Sequence, residues 1–206
     1  MIWIIWTILR LTVPLSILRW PLFGVLLSSY LDLSDYFYLS QTGVYMSHYQ
    51  TWDKILDTFY LAIAAYTCLS WKDVLAKKVA LFSFYYRFIG VFLAIILNFR
   101  GLLFFFPNFF ENFFIFYLIY KKFRKEDLFI NKKVAAVVIA AILLPKLLQE
   151  YSMHLVQAPP TQIFDLSKLP TIGEYLPRPP ETYVQVMMFF TLPIIALIWR
   201  LRTAKK

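Results

Sequence analysis

The sequence predicts an all-α fold: a polytopic membrane bundle of about six transmembrane helices, with an interfacial helix at its N-terminus. Three observations carry this. Hydrophobic residues make up 60% of the 206 positions and the mean hydropathy is +0.62, where a soluble domain averages about 45–50% apolar. Charged residues are 16% of the chain, against about 25% in soluble domains. The apolar residues fall in runs that suit helices crossing ~30 Å of hydrocarbon, and the Lys and Arg residues lie between and after those runs. The net charge of +9 therefore reads as a membrane pattern and not as a nucleic-acid surface, and residues 1–206 read as one membrane domain.

The elements follow in order. Residues 2–10 carry Trp3 and Trp6 and end at Arg10, the pattern of an interfacial helix with aromatic anchors. The stretch MIWIIWTILR lacks a basic leader and a small-residue cleavage site, so it does not read as a cleaved signal peptide. The first span is expected over 13–31, with Pro14 in its first turn and a kink at Pro21. Further spans are expected over 55–70, 79–99, 102–120, 134–148 and 184–199. Arg100-Gly101 reads as a tight turn, and Pro107-Asn108 interrupts the fourth span. Residues 150–182 contain Pro159, Pro160, Pro170, Pro177, Pro179 and Pro180 and form a long connection that cannot be helical throughout. Within it, 163–169 and 172–176 are expected to rest on the membrane surface.

Orientation follows from the basic residues. The turn at 72–78, the loop at 121–133 and the C-terminus are rich in Lys and Arg, whereas 32–53 and 150–182 are poor in them. Both termini are thus expected on the cytoplasmic side of the cell membrane, with 150–182 as an outer loop. Cys68, the single cysteine, excludes an internal disulfide and a cysteine metal cluster, and reads as a small buried hydrophobe.

The polar window at 31–60 holds Asp32, Asp35, Asp53 and Asp57, four of the seven aspartates. Intervals of three and four put each pair on one helix face. Two carboxylate pairs at two helix ends suit a hard divalent cation, Mg2+ or Mn2+. An ordinary structural reading stands beside this one. Asp32 and Asp35 would end one helix, Thr51 or Asp53 would cap the next, and Asp57 would pair with Lys54 or Arg100. His48 lies in the same window.

The intervals 3, 18 and 4 between these aspartates are those of the signature D-x2-D-G-x2-A-R-x8-G-x3-D-x3-D. Asp32, Asp35, Asp53 and Asp57 therefore resemble the acidic frame of the CDP-alcohol phosphotransferases, integral membrane enzymes of about six spans. The resemblance covers residues 32–57. It implies that Asp32, Asp35, Asp53 and Asp57 bind the metal over a substrate diphosphate, with Asp57 also the general base. The signature glycines stand here as Tyr36 and Tyr49, and its Ala-Arg pair as Leu39-Ser40.

A second constellation lies inside the apolar runs. Counting from Gly101 at ~1.5 Å per residue, Arg87 lies about 21 Å and Glu111 about 15 Å deep. A charge there must face protein or water. Arg87 and Glu111 are expected to pair, or to share a polar cluster with Asn108 and Asn112, as a helix-locking ion pair or as a polar pathway. The chain has no P-loop, no HExxH and no nucleophile-elbow motif. Two functions remain: a divalent-metal enzyme acting on a lipid-linked or phosphate-bearing substrate, or a non-catalytic subunit or small carrier using Arg87 and Glu111.

Overall fold

Caps and prolines decide where the helices of this chain begin and end. The computed structural model describes residues 2–41, 49–99, 101–151, 154–155 and 180–204. The expectations for His48, Arg100, 163–169 and 172–176 fall outside these residues. Among the described residues the chain is all-helical. The helices are α1 (Ile2–Thr12), α2 (Pro21–Gln41), α3 (Tyr49–Cys68), α4 (Val74–Ile96), α5 (Leu102–Phe105), α6 (Phe109–Phe123), α7 (Lys132–Tyr151) and α8 (Pro180–Thr203). Where six spans are expected, three segments among the described residues are long and apolar enough to cross a membrane: Val74–Ile96, Leu102–Phe123 and Lys132–Tyr151.

The run expected as one span over 13–31 is divided. Val13–Leu18 forms a 3-10 helix, the chain turns at Arg19 and Trp20, and α2 starts at Pro21. Pro21 has no N–H to lose at a helix start, so it opens a helix here and does not kink one. Gly24 lets α2 fold back on the 3-10 segment, since a Cβ there would lie 2.5 Å from the Ile17 backbone nitrogen. The helix then continues to Gln41, which places Asp32 and Asp35 within it.

Asp73 starts α4 earlier than the apolar pattern predicts. Its carboxylate accepts the Ala76 N–H at 3.0 Å and the Leu128 N–H at 2.7 Å, so Lys77 and Lys78 belong to the helix. At the other end Asn98 adopts φ 48°, and Phe99 N–H bonds Ala94 O while Asn98 N–H bonds Ile95 O. This is a left-handed helix stop, a conformation that Asn tolerates better than most residues. The interruption expected at Pro107-Asn108 separates α5 from α6. Pro145 lies inside α7, which runs on to Tyr151.

Helix α6 is the hub. Phe110, Phe113, Phe114, Tyr117 and Tyr120 are buried, and Trp71 stacks on Tyr117 with ring centroids 3.7 Å apart. Helices α2, α3, α4, α7 and α8 all contact α6. The end of the bundle holding Asp73 is tied further by Arg200, which donates to the carbonyls of Leu128 and Asp127, each at 2.7 Å.

Candidate functional site

Three helices meet at the aspartates. Helix α2 supplies Asp32 and Asp35, α3 supplies Asp53 and Asp57, and α1 brings Arg10 between them. The Arg10 guanidinium is 3% exposed and reaches all four carboxylates. Nη2 donates to Asp32 Oδ1 at 2.6 Å and to Asp57 Oδ1 at 2.5 Å. Nη1 donates to Asp53 Oδ1 at 3.0 Å and to Asp35. On the far side Lys54 Nζ pairs with Asp53 at 2.8 Å and Asp57 at 3.0 Å. The helical intervals of three and four thus bring the expected four residues together, and Asp57 takes Lys54 as one partner.

Aromatic side chains close the cluster. Tyr49 Oη donates to Asp35 Oδ1 at 2.5 Å. The Arg10 guanidinium carbon lies 5.3 Å from the Trp52 ring centroid, a cation–π distance. Trp52 Nε1 donates to Thr7 Oγ1 at 3.1 Å, which fastens α1 to α3.

Four carboxylates face two cations, Arg10 and Lys54, so the acids outnumber the bases by two. Burial and this crowding act on protonation. Burial pushes Asp35 up to about 6, against the pull of Arg10 and the Tyr49 hydrogen bond. Burial, together with the adjacent Asp57 carboxylate, raises Asp32 well above the ordinary aspartate range. One carboxylate oxygen from each of Asp32, Asp35 and Asp53 lies within 4.8 Å of the others. An all-oxygen donor set of this spacing fits a hard divalent ion. Asp57 adjoins this trio through Arg10.

The second constellation forms around a different acid. Arg87 Nη1 lies 3.8 Å from Glu150 Oε2 and donates to the Phe106 carbonyl at 2.6 Å. Glu150 also accepts the Asn108 backbone N–H at 3.0 Å. Lys146 Nζ and His154 Nε2 lie 3.8 and 2.9 Å from its carboxylate. Glu111 turns the other way, accepting from Asn108 Nδ2 at 2.9 Å and from Ser29 on α2. Arg87 and Glu111 therefore do not pair directly, because the break before α6 points the first turn of that helix at α2. Asn108 joins them into one chain of contacts through Glu150. Asn112 makes no hydrogen bond to this chain among the described residues.

Sequence reasoning missed Arg10 and Glu150. The signal for Glu150 is Lys146, Glu150 and His154 at intervals of four, one polar stripe on an apolar helix. The signal for Arg10 is a single cation in an otherwise apolar helix of eleven residues. No protein-family model, curated protein or solved structure matches the chain.

Proposed function

We propose that the chain is a multi-pass integral membrane protein and a divalent-metal-dependent enzyme that acts on a lipid or phosphate-bearing substrate at the aspartate cluster. In this reading the six apolar runs cross the bilayer, three of them as the helices Val74–Ile96, Leu102–Phe123 and Lys132–Tyr151, and the Lys and Arg residues between the runs put both termini on the cytoplasmic side. The enzyme reading rests on one observation, the convergence of carboxylate oxygens from Asp32, Asp35 and Asp53 to within 4.8 Å of one another. Oxygen donors of this kind favour Mg2+ or Mn2+ over softer ions. The aspartate frame that resembles the CDP-alcohol phosphotransferases lies in the same four residues. Tyr49, at a signature glycine position, is bonded to Asp35.

In this reading Asp32, Asp35 and Asp53 hold the metal, whose chemistry is to neutralise phosphate charge. Asp57 accepts the proton of an attacking hydroxyl as its oxygen bonds to phosphorus and the leaving-group oxygen departs. Arg10 balances the carboxylates and presents a fork suited to phosphate oxygens. The test is phosphotransfer from lipid-linked and nucleotide-linked diphosphates by the purified chain, with and without Mg2+ or Mn2+. Asp57→Asn is expected to abolish turnover while leaving metal binding in place. Metal-independent turnover, or full turnover in Asp57→Asn, removes the reading.

A second reading is favoured by the contact of Arg10 with all four aspartates. There the cluster is a lock between α1, α2 and α3, and the chain is a non-catalytic subunit or small carrier that uses the Arg87–Glu150 cluster. Divalent ions would then neither bind nor stabilise the protein.

A further inference from the structure

The three segments long enough to cross a membrane leave a groove between them, away from the aspartates. Its volume is about 560 Å3, within the ~300–1,000 Å3 of small-molecule pockets. Helix α4 contributes Lys78, Phe82, Ser83 and Tyr86, and α7 contributes Ile139 and Leu143. The two hydroxyls in this wall already donate within the protein: Ser83 to the Ala80 carbonyl at 2.9 Å and Tyr86 to the Phe105 carbonyl at 2.7 Å. What remains is an apolar slot with one ammonium at its end. Lys78 makes no ion pair among the described residues.

The slot has direction. From Lys78 to Tyr86 it follows α4 for about 12 Å at ~1.5 Å per residue, and α7 runs beside it. The Lys78 end is also where α4 and α7 begin and α6 finishes, so Lys77, Lys121, Lys122, Lys132 and Lys133 belong to that end of the bundle.

We propose that the groove holds one acyl chain of an anionic phospholipid, with the headgroup phosphate against Lys78 and the basic rim. The occupant must be long, apolar and negative at one end, and it must come from the medium that these three helices face. A bilayer lipid meets all of these demands. A peptide strand would leave its backbone N–H and C=O groups unmatched in a slot whose polar side chains are engaged. A zwitterionic headgroup brings its own cation toward the lysines, whereas an anionic one gains from all of them. The aspartate cluster plays no part in this proposal, which shares with the reading above only the placement of the helices in a bilayer.

Native mass spectrometry of the full chain, released from micelles containing phosphatidylglycerol or phosphatidylcholine, tests this. One phosphatidylglycerol is expected to stay bound at activation energies that strip phosphatidylcholine. Lys78→Glu, at an exposed position, is expected to lower that occupancy at least about fivefold with the helix content unchanged by circular dichroism. Ile139→Trp, which fills the slot, is expected to remove bound lipid of both kinds. Equal retention of the two lipids overturns the proposal. So do undiminished phosphatidylglycerol binding by Lys78→Glu and a lipid-free dimer occupying the face. If Ile139→Trp does not fold, Lys78→Glu and the lipid comparison decide alone.

Discussion

Arg10 and Asp57 are 47 residues apart in sequence, yet Nη2 of the arginine donates to Oδ1 of the aspartate at 2.5 Å. That contact folds the N-terminal helix onto the start of α3 and places one cation among four acids. Replacing Arg10 with Ala leaves buried carboxylates without their main partner, a loss of about 3–5 kcal/mol for a broken buried pair. Thermal unfolding in detergent should fall accordingly in EDTA. Millimolar Mn2+ should recover part of the loss, because the ion takes over the charge balance.

Beside Asp32, which burial also raises, the Asp35 carboxyl contributes one part of the pH dependence. Its native value of about 6 lies above the ordinary 3.8, so the native chain binds this proton more tightly than the unfolded chain. The stability linked to it is fully present below about 3.8 and is lost as pH rises through about 6. Unfolding temperatures measured in EDTA should decline across that window, and Asp35→Asn should make the decline shallower by removing this share of it. Divalent ions bind the deprotonated carboxylate, so their stabilising effect should grow over the same interval.

Arg87 should couple to Glu150 and not to Glu111. A double-mutant cycle of Arg87→Leu with Glu150→Leu is expected to give an interaction of about 0.5–3 kcal/mol, the range for contacting charged residues. The cycle with Glu111→Leu should give a smaller interaction, because Glu111 reaches Arg87 only through Asn108 and Glu150. The reverse pattern would return the pairing to the neighbour expected from sequence.

Gly24 faces backbone, which cannot yield as a side-chain tip can. A Cβ there would lie 2.5 Å from Ile17 N and 2.7 Å from Ile17 Cα. Gly24→Ala should therefore destabilise by about 1–3 kcal/mol, the cost of overpacking, and loosen the hairpin that aims α1 at the aspartates. Reduced protection of the α1 amides in hydrogen exchange would report that loosening.

Local chemistry in this chain was legible, and long-range closure was not. The intervals within Asp32–Asp35 and Asp53–Asp57 predict shared faces because helix geometry is local. Nothing local says that Arg10 returns to those faces, since its route depends on a 3-10 turn and a glycine contact. Pro14 and Pro21 announce a break without saying whether it is a kink or a new helix. Glu150 lay hidden at the edge of a proline-rich stretch, although α7 carries through Pro145 and presents it to Arg87. Asp73 shows the same limit at the start of α4. Hydropathy locates an apolar run, but the capping carboxylate decides where the helix starts.

Mn2+ titration of the purified full chain, followed by electron paramagnetic resonance, decides whether the aspartate cluster binds a divalent ion. One bound Mn2+ per chain is expected, with affinity rising through about pH 6. Asp35→Asn or Asp53→Asn should weaken binding at least about tenfold while helix content is kept. Wild-type protein that leaves the free Mn2+ signal unchanged at millimolar ion would contradict it, and the Arg10 contacts would then stand as a structural lock.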